Sequence, residues 1–487
     1  MAGIGFELKK LFAGGGAIRK VRAYACAGIV SSGTMLLSMA LLIGMQRLAA
    51  RAGAGERERE QLVALVVYAM LSSMLLTSLL STLLSRFAAD MLYRGADDRV
   101  LPSLIGASVA LMVPGGMLYG LMLSRAEAIP ALDRALSWLL FMELIPVWLE
   151  MGYIGAARDY RRILAVFASG VGAALAAGWI LLHFGMPAAT ALLLSLAAGY
   201  GFMLVGFMGV LNRRFSKGSG SAFAFVEWLD RVPSLAAIGF LNMAGAFVHL
   251  IWMWFGPLGE AVAGPLRHAP THDAAAFYAF LAMLPTSVNF VVSVEVNFCR
   301  EYRRYFDFVG GGGTLTEIRE ARDCMVASLR QEVFRLARIQ VCSMAAYAIL
   351  MPYFLKKIGF TADMIAMFQV MSIGYSAYAV GNAMMLLQLY FDDRGGALLS
   401  AAAFFLANAL VTGWTIHGPP LYCGVGLVAG GALLYAVSLT RLFTYAARID
   451  RHVFCGQPVL PDERAGRWTR MARWFEGRTD AKGGVGR

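Results

Sequence analysis

Charged residues disappear from this chain for long stretches at a time. No Asp, Glu, Lys or Arg occurs in 23–46, 61–85, 101–124, 163–212, 232–259, 364–391 or 395–440. Each run is long enough to cross a hydrocarbon core, which takes about 20 residues of helix. The runs 163–212 and 395–440 are double length. They break at Gly185-Met186-Pro187 and at His417-Gly418-Pro419-Pro420, so each predicts a helical hairpin. Segments 135–157, 274–298 and 339–357 are apolar with a few charges and complete the set. The pattern predicts twelve membrane helices in two six-helix lobes, 23–211 and 232–446, joined by a polar connector, 212–231. A short amphipathic segment (1–22) precedes them, a basic tail (447–487) follows, and the longest polar loop is 299–338.

Backbone groups in lipid must be satisfied within the span, so the class is all-α and polytopic. Composition agrees: 59% hydrophobic residues, 15% charged and a mean hydropathy of +0.62 exclude an ordinary soluble domain. The net charge of +12 changes the picture only through its distribution. With the N-terminus inside, 34 of the 43 Lys and Arg residues fall on cytoplasmic segments and 9 on outer ones. That asymmetry predicts both termini in the cytoplasm and removes any need for a nucleic-acid partner. Six plus six helices then makes the halves parallel repeats about an axis along the membrane normal. The six cysteines are scattered without a C-x-x-C pair.

Three polar segments carry amphipathic patterns. Ile4, Leu8, Leu11 and Phe12 share a face at the N-terminus, and Trp468, Met471 and Phe475 share one in the tail among arginines. Both predict helices lying in the headgroup region. In the 299–338 loop, Leu315, Ile318, Met325 and Leu329 lead a stripe that continues to Leu336. Thr314 and Glu317 form a capping box there, behind the glycine run Gly310–Gly313, which predicts a hinge. This stripe is a candidate docking surface for a partner enzyme, with lipid contact as the alternative.

Intramembrane acids are the sharpest chemical signal. Glu143 and Glu150 lie seven residues apart on one face of a helix, with Pro146 between them. Buried charge is expensive and faces a bundle interior or a wet path. The pair therefore predicts a path lining or a proton or cation site, with a structural hydrogen-bonded pair as the alternative. Glu295, near Arg300 and Arg303, has the spacing of an interfacial ion pair. Asn242, Asn289, Asn297 and Asn382 add amides at membrane depth, suited to interhelical bonds or to hydroxyl-bearing cargo. His249 reads as a core histidine bonded to a backbone carbonyl, and His268 and His272 as loop residues without a third metal ligand. No nucleotide loop, catalytic triad, metal or cofactor motif stands out, so the reading is a non-enzyme without cofactor. No Lys or Arg falls inside the hydrocarbon part of a span, which suits a neutral or cationic cargo.

The stretch Met1-Ala2-Gly3-Ile4-Gly5-Phe6-Glu7-Leu8-Lys9-Lys10-Leu11 resembles the start of the PelG family, the integral membrane component of Pel exopolysaccharide machinery. Pro233-Ser234-Leu235, Val294-Glu295-Val296-Asn297-Phe298, Glu301-Tyr302-Arg303-Arg304-Tyr305, Gly313-Thr314-Leu315 and Leu389-Tyr390-Phe391-Asp392-Asp393-Arg394 extend the resemblance in order. The chain departs from the family where His249-Leu250 replaces an Asp-Lys pair and where Asn297 replaces an acid, while Glu295 is kept. The resemblance implies a twelve-helix fold like the flippases and MATE exporters of the MOP superfamily, in a gram-negative inner membrane. It also implies three partners: a cytoplasmic Pel glycosyltransferase, a cyclic-diguanylate receptor and a scaffold membrane protein. The implied cargo is an N-acetylgalactosamine-rich polysaccharide. The functional expectation is a transporter of that polymer. An ion-coupled exporter of small organic cations and a non-conducting anchor for the glycosyltransferase are the alternatives.

Overall fold

The computed structural model describes residues 33, 36–157, 160–215, 218, 220–455 and 466–471, with the side chains of 156, 157, 160, 161, 292, 295 and 296 left aside. Among the described residues, helices and the turns between them make up the chain apart from one small hairpin. In order, the helices are α1 (36–51), α2 (Glu56–Tyr93), α3 (Val100–Ser124), α4 (Ala131–Ala157), α5 (Tyr160–His183) and α6 (Ala188–Arg214). The short α7 (Glu227–Arg231) and the long α8 (Pro233–Trp254) follow. The hairpin β1 (Glu260–Ala263) and β2 (Leu266–His268) then leads to α9 (Pro270–Phe280) and α10 (Leu284–Val291). The last group is α11 (Cys299–Gly310), α12 (Leu315–Lys357), α13 (Ala362–Tyr390), α14 (Arg394–Thr415), α15 (Val425–Ala447) and α16 (Ile449–Cys455).

Among the described residues, eleven segments are long and apolar enough to cross a membrane. The first expected span, 23–46, lies partly outside the described residues, and its second half falls in α1. The two double-length runs resolve into α5–α6 and α14–α15. Gly185 turns the first hairpin at φ +77°, a conformation that costs glycine little and other residues much. The capping box at Thr314 forms as its spacing requires, with Thr314 and Glu317 satisfying each other's backbone N–H groups.

The structure corrects the sequence reading at two places. The stripe 314–336 and the span 339–357 are one unbroken helix, the 43-residue α12. Charge thins out along it, but nothing between Leu329 and Val341 breaks a helix, and Pro352 alone interrupts its backbone bonding. Conversely, 274–298 is not one regular helix. Its path runs through α9, a 3₁₀ turn, α10 and a π-helical segment, Val292–Phe298, that continues directly into α11. Pro285, which offers no N–H, sits in the first turn of α10.

The helices form two compact units, and the division falls inside α8, between Met243 and Ala244. In the first unit in chain order, α4 packs on α2 and α6, and α5 packs on α6. In the second, α13 packs on α15, α15 on α14 and α9 on α13. Gly374 and Gly381 of α13 let this contact close, since a Cβ at either would stand 2.8 Å from Leu427 or Leu434 of α15.

Residues 466–471 of the basic tail are held in the first unit. Thr469 donates from its backbone N–H (2.6 Å) and its hydroxyl (2.9 Å) to Asp230 of α7. Partial burial acts to raise the Asp230 carboxyl, but these hydrogen bonds and the Arg470 charge outweigh it and hold it below its ordinary value. A carboxylate lowered by docking stabilises the docked state above its free value, about 3.9, and loses that contribution as pH falls through the docked value. The Asp230 contribution to tail docking should therefore be full at pH 7 and decline as pH falls below about 4. Asp230→Asn should mimic the acid state at neutral pH, and limited proteolysis of the tail checks both. Equal protection of variant and wild type would remove Asp230 as the clasp.

Candidate functional site

The acids predicted from sequence lie in the first unit, on α4. Glu150 is completely buried, and neither carboxylate oxygen has a hydrogen-bond partner among the described residues. Glu143, two turns earlier, is half-buried. Its Oε1 lies 3.3 Å from where a Cβ at Gly201 of α6 would stand, so the missing side chain there makes room for the carboxyl. Its Oε2 is buried and likewise has no partner among the described residues. Pro146 sits inside α4 between them, where it leaves a carbonyl without its helical donor. Paired charges tolerate burial, whereas a lone one costs several kcal/mol, roughly 2–7 even for an uncharged polar group. A carboxyl kept in such a place without a partner is suited to meeting one from outside the fold: a proton, a cation or a donor-bearing cargo. Asn242, on the part of α8 in the same unit, is partly buried.

The remaining amides lie in the second unit and divide by role. Asn289 bonds its own helix, donating 2.8 Å to the Pro285 carbonyl. Asn382, on α13, is partly buried, and its Oδ1 has no hydrogen-bond partner among the described residues. Asn297 stands in the π-helical segment and donates 2.9 Å to Glu332 of α12. Glu332 pairs with Arg335 at 2.7 Å, and Arg335 donates 2.9 Å to Ser293, back on the π segment. A π-helical stretch is wider and less favourable than an α-helix and is found mostly at functional positions. Here a ring of four side chains ties it to α12. Glu295 belongs to the same segment, but its side chain lies outside those described. One turn further along α12, Gln340 is 1% exposed and fully satisfied by Thr286, Ser376 and the Ala282 carbonyl.

Glu332, Arg335 and Gln340 were not singled out from sequence. A signal existed: Glu332 is seven residues beyond Met325, so it falls on the apolar stripe and had to be buried. The same stripe carries a correction. Ile318, Met325 and Leu329 do not form an outward docking face; they are buried against Tyr305, Leu387, Phe391 and Leu442 of their own unit. Leu315 alone of the four is exposed. Amphipathicity shows that a face is covered but not by what, and here the chain's own helices cover it.

His249 is fully buried with its Nε2 3.3 Å from the Tyr375 hydroxyl, so its partner is a side chain rather than a backbone carbonyl. His272 is likewise no loop residue: it lies in the first turn of α9, fully buried, 5.5 Å from the His249 ring between centroids.

Residues 1–454 match the family PelG, described as "Putative exopolysaccharide Exporter (EPS-E)". No curated protein sequence matches the chain. Among solved structures, the chain is similar to a multidrug resistance MATE family transporter of the MOP superfamily in an outward-facing conformation. That alignment has 14% identity and a TM-score of 0.58 over 87% of this chain and 96% of the other. The inward-facing conformation of a MATE family transporter gives 12% identity and 0.57 over 87% and 99%. A eukaryotic MATE transporter, AtDTX14, gives 14% and 0.54 over 93% and 98%. At these identities the likeness shows the fold, a helical, polytopic MATE-like one, and the sequence match carries the family. The chain belongs to the PelG family.

Proposed function

We propose that this protein moves a Pel-type, N-acetylgalactosamine-rich polysaccharide across the bacterial inner membrane, with both termini in the cytoplasm. The observation that carries the reading is the family match along residues 1–454, on a transporter fold. The assignment of the glycan rests on the resemblance of the family. One feature of the chain agrees with it: Glu143 and Glu150 offer acceptors without partners among the described residues. The cytoplasmic glycosyltransferase, the cyclic-diguanylate receptor and the scaffold protein belong to the same proposal. So does the two-lobe division at 212–231. Glu143, Glu150, Glu295, Asn289, Asn297, Asn242 and Asn382 are the proposed path residues.

Loss of secreted polymer from a deletion strain whose glycosyltransferase still sits at the membrane supports transport. Polymer accumulating outside that strain at wild-type level would overturn it and leave an anchor. The unpartnered Glu150 favours one second reading, ion-coupled export of organic cations. A deletion strain hypersensitive to cationic dyes but normal in polymer would establish that instead.

Threading is checked separately. Alkaline phosphatase fused after Arg319 should be inactive and one fused after Pro265 active, because 34 of 43 basic residues lie on the segments predicted inside. The reverse pattern would invert the topology.

A further inference from the structure

We propose that the second unit carries a binding site for the headgroup of an anionic phospholipid, between the end of α15 and α16. A cavity of about 400 Å³ opens there, lined by Arg441, Thr444, Tyr445, Arg448, Arg451 and His452. No carboxylate among the described residues lines it. Arg441 is already engaged by Asp393, at 2.9 and 3.2 Å, which fixes one wall. Arg448 and Arg451 make no ion pair among the described residues, and His452 lies flat on Tyr445 at 4.0 Å between ring centroids. Asp450, the acid on α16, is turned away from the arginines and committed to Tyr305 (2.8 Å) and Arg322 (2.7 Å). The cavity thus collects uncommitted positive charge, and its ligand chemistry is a phosphate.

The helix face leading into the cavity identifies the phosphate's source. Leu433, Ala436, Thr440, Thr444 and Arg448 are all exposed and succeed one another at three- and four-residue steps, so they form one stripe along α15. The stripe is apolar at Leu433 and Ala436, within a candidate membrane span, and cationic where that span ends. Phe454, 57% exposed on α16, adds an apolar group beside Arg451. A soluble phosphate compound would use the cations alone. A lipid uses the whole stripe, with acyl chains against Leu433 and the headgroup among the arginines.

The test uses the full chain purified in detergent, with retained lipid quantified by mass spectrometry after exchange into mixed phosphatidylglycerol and phosphatidylcholine nanodiscs. Wild type should hold phosphatidylglycerol selectively. An arginine near an anionic surface contributes about a fivefold factor, so Arg448→Gln with Arg451→Gln should weaken retention about thirtyfold. Thr444→Trp fills the cavity with every charge in place and should abolish retention too, while Arg303→Gln with Arg338→Gln should leave it unchanged. Thermal melting checks that each variant is folded. Retention unaffected by the double variant and by Thr444→Trp overturns the site. So does equal loss in the Arg303 and Arg338 control, which would mean diffuse surface charge. A parallel titration with inorganic pyrophosphate tests the soluble source: binding of pyrophosphate without selective lipid retention overturns the lipid assignment.

Discussion

Glu150→Gln should reduce polymer export tenfold or more, equivalent to at least about 1.4 kcal/mol on the transport step, while protein abundance stays near normal. The separation of those two readouts follows from the site. Glu150 is 0% exposed and its oxygens bond nothing among the described residues, so the amide removes no interaction that holds the fold. Glutamine has the same shape and no charge, and exchanging an unpaired buried acid for it is neutral or favourable for stability. Glu150→Leu should be folded for the same reason and equally inactive. Glu143→Gln should lose less, because Glu143 is only half-buried against Gly201 and exchanges more readily with water. Quantifying secreted polymer beside membrane levels of each variant decides the matter. If both Glu150 variants export at wild-type rates, the acid is no part of the path. If both vanish from membranes, its role is structural.

The spans were legible because excluding charge from hydrocarbon leaves long gaps that no soluble helix needs. The hairpin at Gly185 and the capping box at Thr314 were legible because each depends on local chemistry, a positive φ and a reciprocal hydrogen bond. What stayed hidden depends on neighbours. Periodicity in Ile318, Met325 and Leu329 predicts a covered face, but a partner protein and the chain's own α13 and α15 leave the same trace. Continuity of α12 was hidden by a change of polarity that alters what surrounds a helix without ending it. His272 follows a hairpin and a proline, which reads as loop, yet Pro270 occupies the first turn of α9 and starts it. The acids of α4 were found because charge is rare at membrane depth. Glu332 was missed because it was assigned to water.

Arg335→Met should destabilise the protein by about 2 kcal/mol, and adding Glu332→Gln should restore most of that loss. The pair sits on α12 at a spacing of three residues, and Glu332 is 7% exposed. Removing the guanidinium leaves a buried carboxylate with Asn297 as its one donor. Breaking a fully buried pair costs about 3–5 kcal/mol; here about a third of Arg335 is exposed and water offsets part of it. Neutralising Glu332 removes the stranded charge and keeps an acceptor for Asn297, so the double variant should exceed the single one in stability. Asn297→Leu should add a further effect, since the π-helical segment would then keep no bond to Glu332. Thermal unfolding in detergent measures each step. A single Arg335→Met variant as stable as wild type would show that the network does not hold the π segment to α12. A double variant no better than the single would show that the cost lies in lost packing of the arginine stem rather than in the carboxylate left behind.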